Sequence, residues 1–455
     1  MKMGNRTVNL DKYYRCLSAI RPMRMIGQVT QVTGPLIMSR GPAASIGDVC
    51  YVSPGENRES VLCEVVGFKD NMILLMAFNH MDGIAPGSEV VSTGTPLSIQ
   101  VGQSMLGRVL DGLGEPIDGR GSLLGCEHRN VSAEAPHPLK RRRITEPIGT
   151  GIRALDGFLT FGRGQRVGVF AGSGVGKSVL VGQIARSSEA DVNIIALIGE
   201  RGREVRDFLE NSLGDEGLKR SVVVAVTSDE PALRRIKGAL VATTIAEYFR
   251  DQGQDVLLMM DSVTRFAAAQ REVGLSIGEP PTARGYTPSV FALMPKIFER
   301  AGTSADGSIT GLYTVLVEGD DMDEPVSDNV RSILDGHIVL SRKLAARHHY
   351  PAIDILESIS RVMPDVVSDE HRAAVQRLSS LYAAYEESRD MINIGAYVKG
   401  SSTEIDTAIE MMGPVNEFLR QDMKKTVSFD ENVAGLVEIA SRIGASQDEH
   451  VGETK

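Results

Sequence analysis

The 455-residue sequence is poor in cysteine, in long apolar runs and in excess positive charge. Its four cysteines, Cys16, Cys50, Cys63 and Cys126, form no close pair of the kind that holds a metal. A chain of this length needs no disulfide staples, so the expectation is a reduced, cytoplasmic interior. No apolar stretch approaches the ~18 residues needed to span a bilayer, and no apolar segment of secretory type follows residues 1–7. A role at a membrane would require something else to hold the chain there. The net charge of −10 lacks the overall basic footprint of a dedicated nucleic-acid binder, and no nucleic-acid partner is expected. What remains is an ordinary globular composition, 42% hydrophobic and 24% charged. The length suggests about three domains.

The stretch Phe170-Ala171-Gly172-Ser173-Gly174-Val175-Gly176-Lys177-Ser178 organises the chain. It follows an apolar run, Arg166-Val167-Gly168-Val169-Phe170, and precedes Val179-Leu180-Val181-Gly182-Gln183-Ile184-Ala185, whose spacing suits a helix. Strand, glycine-rich turn and helix form the context a phosphate-binding loop requires. Backbone N–H groups at such a turn converge on anionic oxygens, and the helix N-terminus adds partial positive charge. Lys177 would reach the β- and γ-phosphates of a nucleotide, and Ser178 would ligate Mg²⁺. Ala171 stands where the consensus prefers glycine, a small departure that leaves the cradle intact.

Residues 8–20 place Leu10, Tyr13, Tyr14, Leu17 and Ile20 at helical spacing. Periodicity alone leaves two readings, packing on the chain's own domain or docking on a partner or lipid surface. Residues 25–92 read as short β-rich runs between turn signals at Gly34-Pro35, Gly41-Pro42, Ser53-Pro54-Gly55 and Ala85-Pro86-Gly87, which argues for a small antiparallel barrel or sandwich. Residues 93–150 read as a connecting segment leading into the core. Its tetrad Lys140-Arg141-Arg142-Arg143 reads more readily as a solvated basic strip than as a nucleic-acid patch. Residues 151–370 alternate strand-like runs (167–170, 193–198, 222–226, 256–260, 313–317) with helical ones such as 232–250. That is the pattern of a parallel sheet covered on both faces. From 371 the periodicity becomes helical, with Gly413-Pro414 expected to interrupt the second helix.

Ligands of such sheets bind outside the carboxyl ends of the strands. There, 256–260 closes on Asp261, a Walker B pattern whose carboxylate would hold Mg²⁺ directly or through water. The run 194–198 ends in Gly199-Glu200-Arg201-Gly202-Arg203-Glu204, placing Glu200 to polarise an attacking water, although a Glu after a strand is also a common cap. Arg201 and Glu204 read as local supports or as a surface ion pair. Arg361 is either a structural ion-pair partner or an arginine finger worth about 10³–10⁵ in rate. His348 and His349 do not share a helical face and read as surface residues. The acidic stretch from Asp320 to Glu324 lacks the glycine and spacing of a calcium loop and reads as a loop beside the nucleotide.

These motifs, with Asp261-Ser262-Val263-Thr264-Arg265, Gly278-Glu279-Pro280-Pro281, Tyr350-Pro351-Ala352-Ile353-Asp354 and the segments 107–111 and 116–119, resemble the type III secretion ATPases, relatives of the catalytic subunits of rotary ATP synthases. The resemblance covers nearly the whole chain and is greatest to flagellar export ATPases, with injectisome ATPases close behind. It implies an α/β, P-loop (RecA-like) parallel-sheet core with an N-terminal small β-barrel and a C-terminal helical domain. It implies ATP hydrolysis with Mg²⁺ in a homohexamer. It assigns Ala171, Gly172, Ser173, Gly174, Val175, Gly176, Lys177 and Ser178 to the phosphates, Ser178 and Asp261 to the metal, and Glu200 to the water. Arg361 is assigned to a neighbouring subunit's nucleotide, Tyr350 to the side of the adenine, and the loop 277–285 to the central pore. Residues 1–24 correspond to a segment that binds a stator-like regulator and anionic lipid. Export-gate, stalk and chaperone–cargo partners and a peripheral place at the inner membrane are implied too. A rotary proton-coupled subunit and a hexameric nucleic-acid translocase remain alternatives. Glu200 excludes the non-catalytic rotary subunit, which lacks that residue. Deleting residues 1–20 is expected to leave hydrolysis possible and to abolish partner or lipid association; unchanged association in a pull-down would contradict the docking reading.

Overall fold

A computed structural model describes residues 25–55 and 58–452. The helix expected over residues 8–20 lies outside the described residues. The described chain forms two compact units, one ending at Leu97 and one beginning at Ser98.

The first unit is a closed antiparallel barrel of six strands, Ile26–Thr33, Leu36–Arg40, Asp48–Ser53, Val61–Lys69, Met72–Ala77 and Glu89–Pro96. The first and last strands pair and close it, which leaves no edge strand open. Alternate side chains, among them Val29, Ile37, Val52, Val65, Leu75 and Val90, fill its interior. Cys50 and Cys63 face each other across two of its strands as free, buried thiols. Burial pushes the Cys50 thiol up to about 11, so both behave as small apolar groups.

The second unit is built on one large sheet. In spatial order its strands are Ile353–Ser360, Gly336–Leu340, Arg166–Ala171, Ser308–Leu316, Asp255–Asp261, Val192–Glu200, Ser221–Thr227 and Val109–Leu110. All neighbours run parallel except the first pair. A two-residue strand, Gly302–Thr303, pairs antiparallel with Ser308–Leu316 off this path. The central strands are continuous apolar runs, buried along nearly their full length, as expected when helices cover both faces. The helix Ala232–Asp251 is buried nearly all round, with Ile236, Ala239, Ala242, Ile245 and Phe249 inside.

Three local expectations change. The segment after residue 93 is more than a connection. Val109–Leu110 extends the sheet beside Ser221–Thr227, and Ser98–Val101 pairs with Glu127–Asn130. Such short strands carry too little periodicity to be seen in sequence. The basic tetrad is not a solvated strip throughout, because Arg141 donates to Ala301 O at 2.8 Å and to Glu299 O, and Arg142 donates to Ser304 O at 3.1 Å. Those backbone carbonyls are invisible to charge counting. The helix Thr403–Leu419 runs through Gly413-Pro414 without ending. Met411, Met412, Val415 and Phe418 are buried on both sides of the proline, so packing overrides the lost N–H.

The C-terminal helices Asp369–Asn393, Thr403–Leu419 and Phe429–Gly452 are pinned to the short helix Arg153–Phe158. Phe158 packs edge-on against Phe418 with centroids 6.2 Å apart, and His371 Nε2 lies 2.6 Å from Gly157 O. Buried Asp156 accepts from Asn432 Nδ2 at 2.8 Å and from the Thr150 and Gly151 backbone.

Away from this junction, Arg300 is nearly sealed and grips Glu247 through Nε at 2.9 Å and Nη2 at 2.7 Å. Replacing Arg300 by alanine strands a buried carboxylate and is expected to destabilise the second unit by about 3–5 kcal/mol. Urea denaturation checks this; a loss near zero would show that water solvates Glu247.

Candidate active site

The phosphate loop lies where the strand Arg166–Ala171 passes into the helix Lys177–Ser187. Ala171 is the last strand residue, buried in the core and paired with Leu316 and Leu340. Its methyl group therefore points away from the cradle, which explains why alanine is tolerated. Val175 is buried in the same core and anchors the tip of the loop. Gly174 at φ 78° and Gly176 at φ 101° occupy the left-handed region open to glycine, and Gly176 leads into the first helical N–H groups.

Four adjacent strands each deliver one polar group to the same place. Lys177 follows the phosphate-loop strand, Thr314 lies on its neighbour, Asp261 ends the next and Glu200 ends the fourth. The Lys177 ammonium pairs with Asp261 Oδ1 and lies 3.7 Å from Glu200 Oε1. Thr314 Oγ1 donates to Asp261 Oδ1 at 2.8 Å. Sequence reading missed Thr314, because a threonine inside a strand carries no signal until the strand order is known.

Glu200 owes its aim to a bulge. The pairing of Val192–Glu200 with Ser221–Thr227 shifts between Ile198 and Glu200, and the intervening Gly199 has φ 71°. A Cβ on Gly199 would lie 2.9 Å from Arg265 Cβ. Glu200 Oε1 is buried without a hydrogen-bond partner among the described residues. Burial foremost, then the Asp261 charge, pushes the Glu200 carboxyl up to about 7, while Lys177 opposes the rise. Glu204 also raises it by accepting a hydrogen bond from the Glu200 carboxyl, a bond that lowers the pKa of Glu204 itself. Arg201 meets Glu204 at 3.5 Å as an exposed ion pair.

Beside the loop is a cavity of about 400 Å³ lined by Gly176, Val179, Gln183, Leu340, Tyr350 and Met423. Its walls are apolar, of the kind that suits a nucleotide base, and Tyr350 is one of them. Two contributors were not legible in sequence. The segment Gln421-Asp422-Met423 returns from the C-terminal helices to form one wall, and buried Gln183 leaves its Nε2 without a partner. The acidic loop does lie beside the phosphate loop: Asp320 pairs with Arg342 at 3.2 Å, and Arg342 Nη1 lies 3.4 Å from Ser173 O.

Among the described residues no three His, Cys, Asp or Glu side chains converge on a metal position. Mg²⁺ bound with a nucleotide keeps water and phosphate oxygens and needs one or two protein oxygens. Exposed Ser178 and buried Asp261 supply that kind of donor.

Arg361 is not part of this cluster. It follows the strand Ile353–Ser360, and its N–H donates to Asp335 O at 3.0 Å, while Asp335 N–H donates to Arg166 O at 2.8 Å. It therefore stands level with the start of the phosphate-loop strand, about 16 Å along that strand from its loop end. Its side chain is exposed, with Nη1 3.3 Å from Leu334 O. His349, expected at the surface, is buried, and burial together with Arg420 pushes its imidazole down to about 4. The loop geometry after residue 346, not its polarity, turns it inward.

Fold and site together define a P-loop ATPase. Its residues 151–360 match the nucleotide-binding domain of the ATP synthase alpha/beta family, and residues 29–94 match that family's beta-barrel domain. Residues 367–438 match the C-terminal domain of the T3SS ATPase EscN. The chain belongs to the family of flagellum-specific ATP synthases and type 3 secretion system ATPases, the type III export ATPases. It is 51% identical over 425 residues to the flagellum-specific ATP synthase of Bacillus subtilis (strain 168), covering 93% of this chain and 97% of the relative. It is 47% identical over 425 residues to the type 3 secretion system ATPase of Xanthomonas euvesicatoria, covering 93% and 96%. The assembled EscN of enteropathogenic E. coli superposes with a TM-score of 0.85 at 45% identity, covering 91% of this chain and 100% of that one. A second structure shows EscN in complex with its central stalk EscO, with a TM-score of 0.84.

With Glu200 as proton acceptor, the turnover rate is expected to rise as pH climbs through about 7, because the carboxyl must be ionised to accept a proton. Glu204→Ala removes a group that raises that value, so the acidic limb should move to lower pH. Glu200→Gln should cut turnover by about 10²–10⁴ with nucleotide binding retained. An unmoved limb in Glu204→Ala, read in full pH–rate profiles, would contradict the assignment.

Proposed function

We propose that the chain is the ATPase of a flagellar type III export apparatus, hydrolysing Mg-ATP at the interfaces of a homohexamer to energise export of unfolded protein substrates. The observation that carries this reading is the separation within one chain of Lys177, Asp261 and Glu200 from an exposed Arg361 at the other end of the sheet. One chain holds the phosphates and positions water, and the guanidinium that offsets transition-state charge comes from the adjacent copy. The assembled relative EscN and its complex with a stalk support a ring with a stalk partner here. The T3SS-type C-terminal domain favours export over proton-coupled rotation.

The geometry supports the following roles. Backbone N–H groups of residues 172–178 and the Lys177 ammonium hold the phosphates. An entering phosphate competes with Asp261 for Lys177, which frees the Asp261 carboxylate for a metal. Mg²⁺ held by Ser178 and Asp261 would supply charge neutralisation at the phosphates. Glu200 orients water and takes its proton. Tyr350 and Leu340 flank the base. Flagellar membership is supported by relatives from Bacillus subtilis and Treponema pallidum at 51% and 50% identity, against 48% and 47% for secretion-system relatives from Sinorhizobium fredii and Xanthomonas euvesicatoria. Function in the cytoplasm at an inner-membrane export apparatus, with a stator-like regulator, export-gate proteins and chaperone–cargo complexes as partners, belongs to the same proposal.

Arg361→Ala should lose about 10³-fold or more in turnover, and wild-type rate per chain should rise with protein concentration. Mixing Arg361→Ala with Lys177→Ala should restore part of the activity, because some mixed interfaces are complete. Rates linear in concentration, a fully active Arg361→Ala and no rescue on mixing would falsify the interface mechanism. Restoration of motility, rather than of effector secretion, to the corresponding deletion strains decides flagellar membership.

A further inference from the structure

A second cavity, of about 640 Å³, lies on the other side of the segment that walls the base cavity. It is bounded by the loop after Ala346, the helix Asp369–Asn393, the helix Thr403–Leu419 and the segment leading to Lys425. Arg153, Arg347, Arg389, Arg420 and Lys425 line it, against Glu386 and Glu417. Arg389 is consumed by Glu386, reaching both carboxylate oxygens at 2.7 and 2.8 Å. The other four cations form no ion pair among the described residues, in a chain whose net charge is −10. Arg153 lies over the Phe418 ring at 5.7 Å, donates through Nη2 to Arg420 O, and leaves its Nε buried without a partner. Buried His349 lines the same wall, and its depressed pKa registers the Arg420 charge. Arg347, Arg420 and Lys425 are solvent-exposed, so what points to a ligand is the convergence of several like charges on one cleft, where an anion can meet more than one of them at once.

We propose that this cavity binds a small anion carrying clustered phosphates, of the pyrophosphate class, and that its occupancy tightens nucleotide binding. A cleft of this volume suits a compact ligand better than an extended acidic chain, and convergent arginines match phosphate geometry. The coupling runs through Gln421. Its side chain accepts from Arg153 N–H at 2.9 Å and donates to Gly151 O and Lys425 O at 2.8 and 2.7 Å, while its backbone N–H donates to Tyr350 O at 2.9 Å. Arg420 and Lys425 face the second cavity, whereas Gln421, Asp422 and Met423 face the base. An anion that holds Arg420 and Lys425 restrains the wall that the nucleotide must otherwise order.

Calorimetry of the full chain with pyrophosphate tests this without turnover, so its failure leaves the hydrolytic reading untouched. A saturating non-hydrolysable ATP analogue removes binding at the phosphate loop, and one further event per chain is expected. Arg347→Ser with Lys425→Gln should weaken that event about tenfold or more while leaving turnover at saturating ATP unchanged. Pyrophosphate should in turn tighten the analogue about fivefold in a Lys177-intact chain once the phosphate-loop event is accounted for by competition. If the double variant melts early, Lys425→Gln alone, with its exposed side chain, carries the test. Absence of a second event, its survival in the variants or an unchanged analogue affinity would overturn the proposal. Preferential binding of poly-glutamate would also overturn it, in favour of an acidic protein segment.

Discussion

The cleft depends on the contact between Lys177 and Asp261. A buried carboxylate needs a partner, and this one has both an ammonium and the Thr314 hydroxyl. Those groups meet because their strands are consecutive neighbours in a parallel sheet, so their carboxyl ends open on one side. Glu200, on the fourth strand, stands at the margin of this pair. It is near enough to Asp261 to feel its charge and too far from Lys177 for a hydrogen bond. A carboxyl poised near neutrality is the outcome, which suits a group that must take and return a proton within one cycle.

The base cavity shows a different economy. The sheet supplies the phosphate grip, but the wall over the base comes from the C-terminal helices, held down by Phe158 against Phe418 and by Asp156 against Asn432. Gln421 ties that wall to both the phosphate-domain backbone and the Tyr350 carbonyl. Nucleotide affinity is therefore a property of two layers. Arg361, the proposed finger, lies on an exposed edge beyond the first strand of the sheet. On the proposed reading, a chain with this arrangement is complete as a binder and incomplete as a catalyst.

Much of this was legible in the residues alone. Phosphate loops, strand-end acids and continuous apolar strands are local patterns imposed by backbone geometry, so Lys177, Glu200 and Asp261 could be picked out, as could the barrel, the parallel sheet and the helical C-terminus. Strand cores were placed to within a few residues, because a strand buried on both faces leaves an unbroken apolar run. Proline in the helix Thr403–Leu419, the inward turn of His349 and the anchoring of Arg141 and Arg142 were not legible, since each depends on atoms remote in sequence.

Sequence by itself determined which chemistry the chain carries: an anion cradle, a cation to clamp it and two acids at strand ends. Tertiary structure alone decided which of those groups meet. Strand order brought Thr314 to Asp261, a bulge at Gly199 aimed Glu200, and the sheet's length kept Arg361 away from its own phosphate loop. The physical reason is that hydrogen bonds along a strand are blind to side-chain identity, whereas the order of strands is set by the summed packing of the whole core.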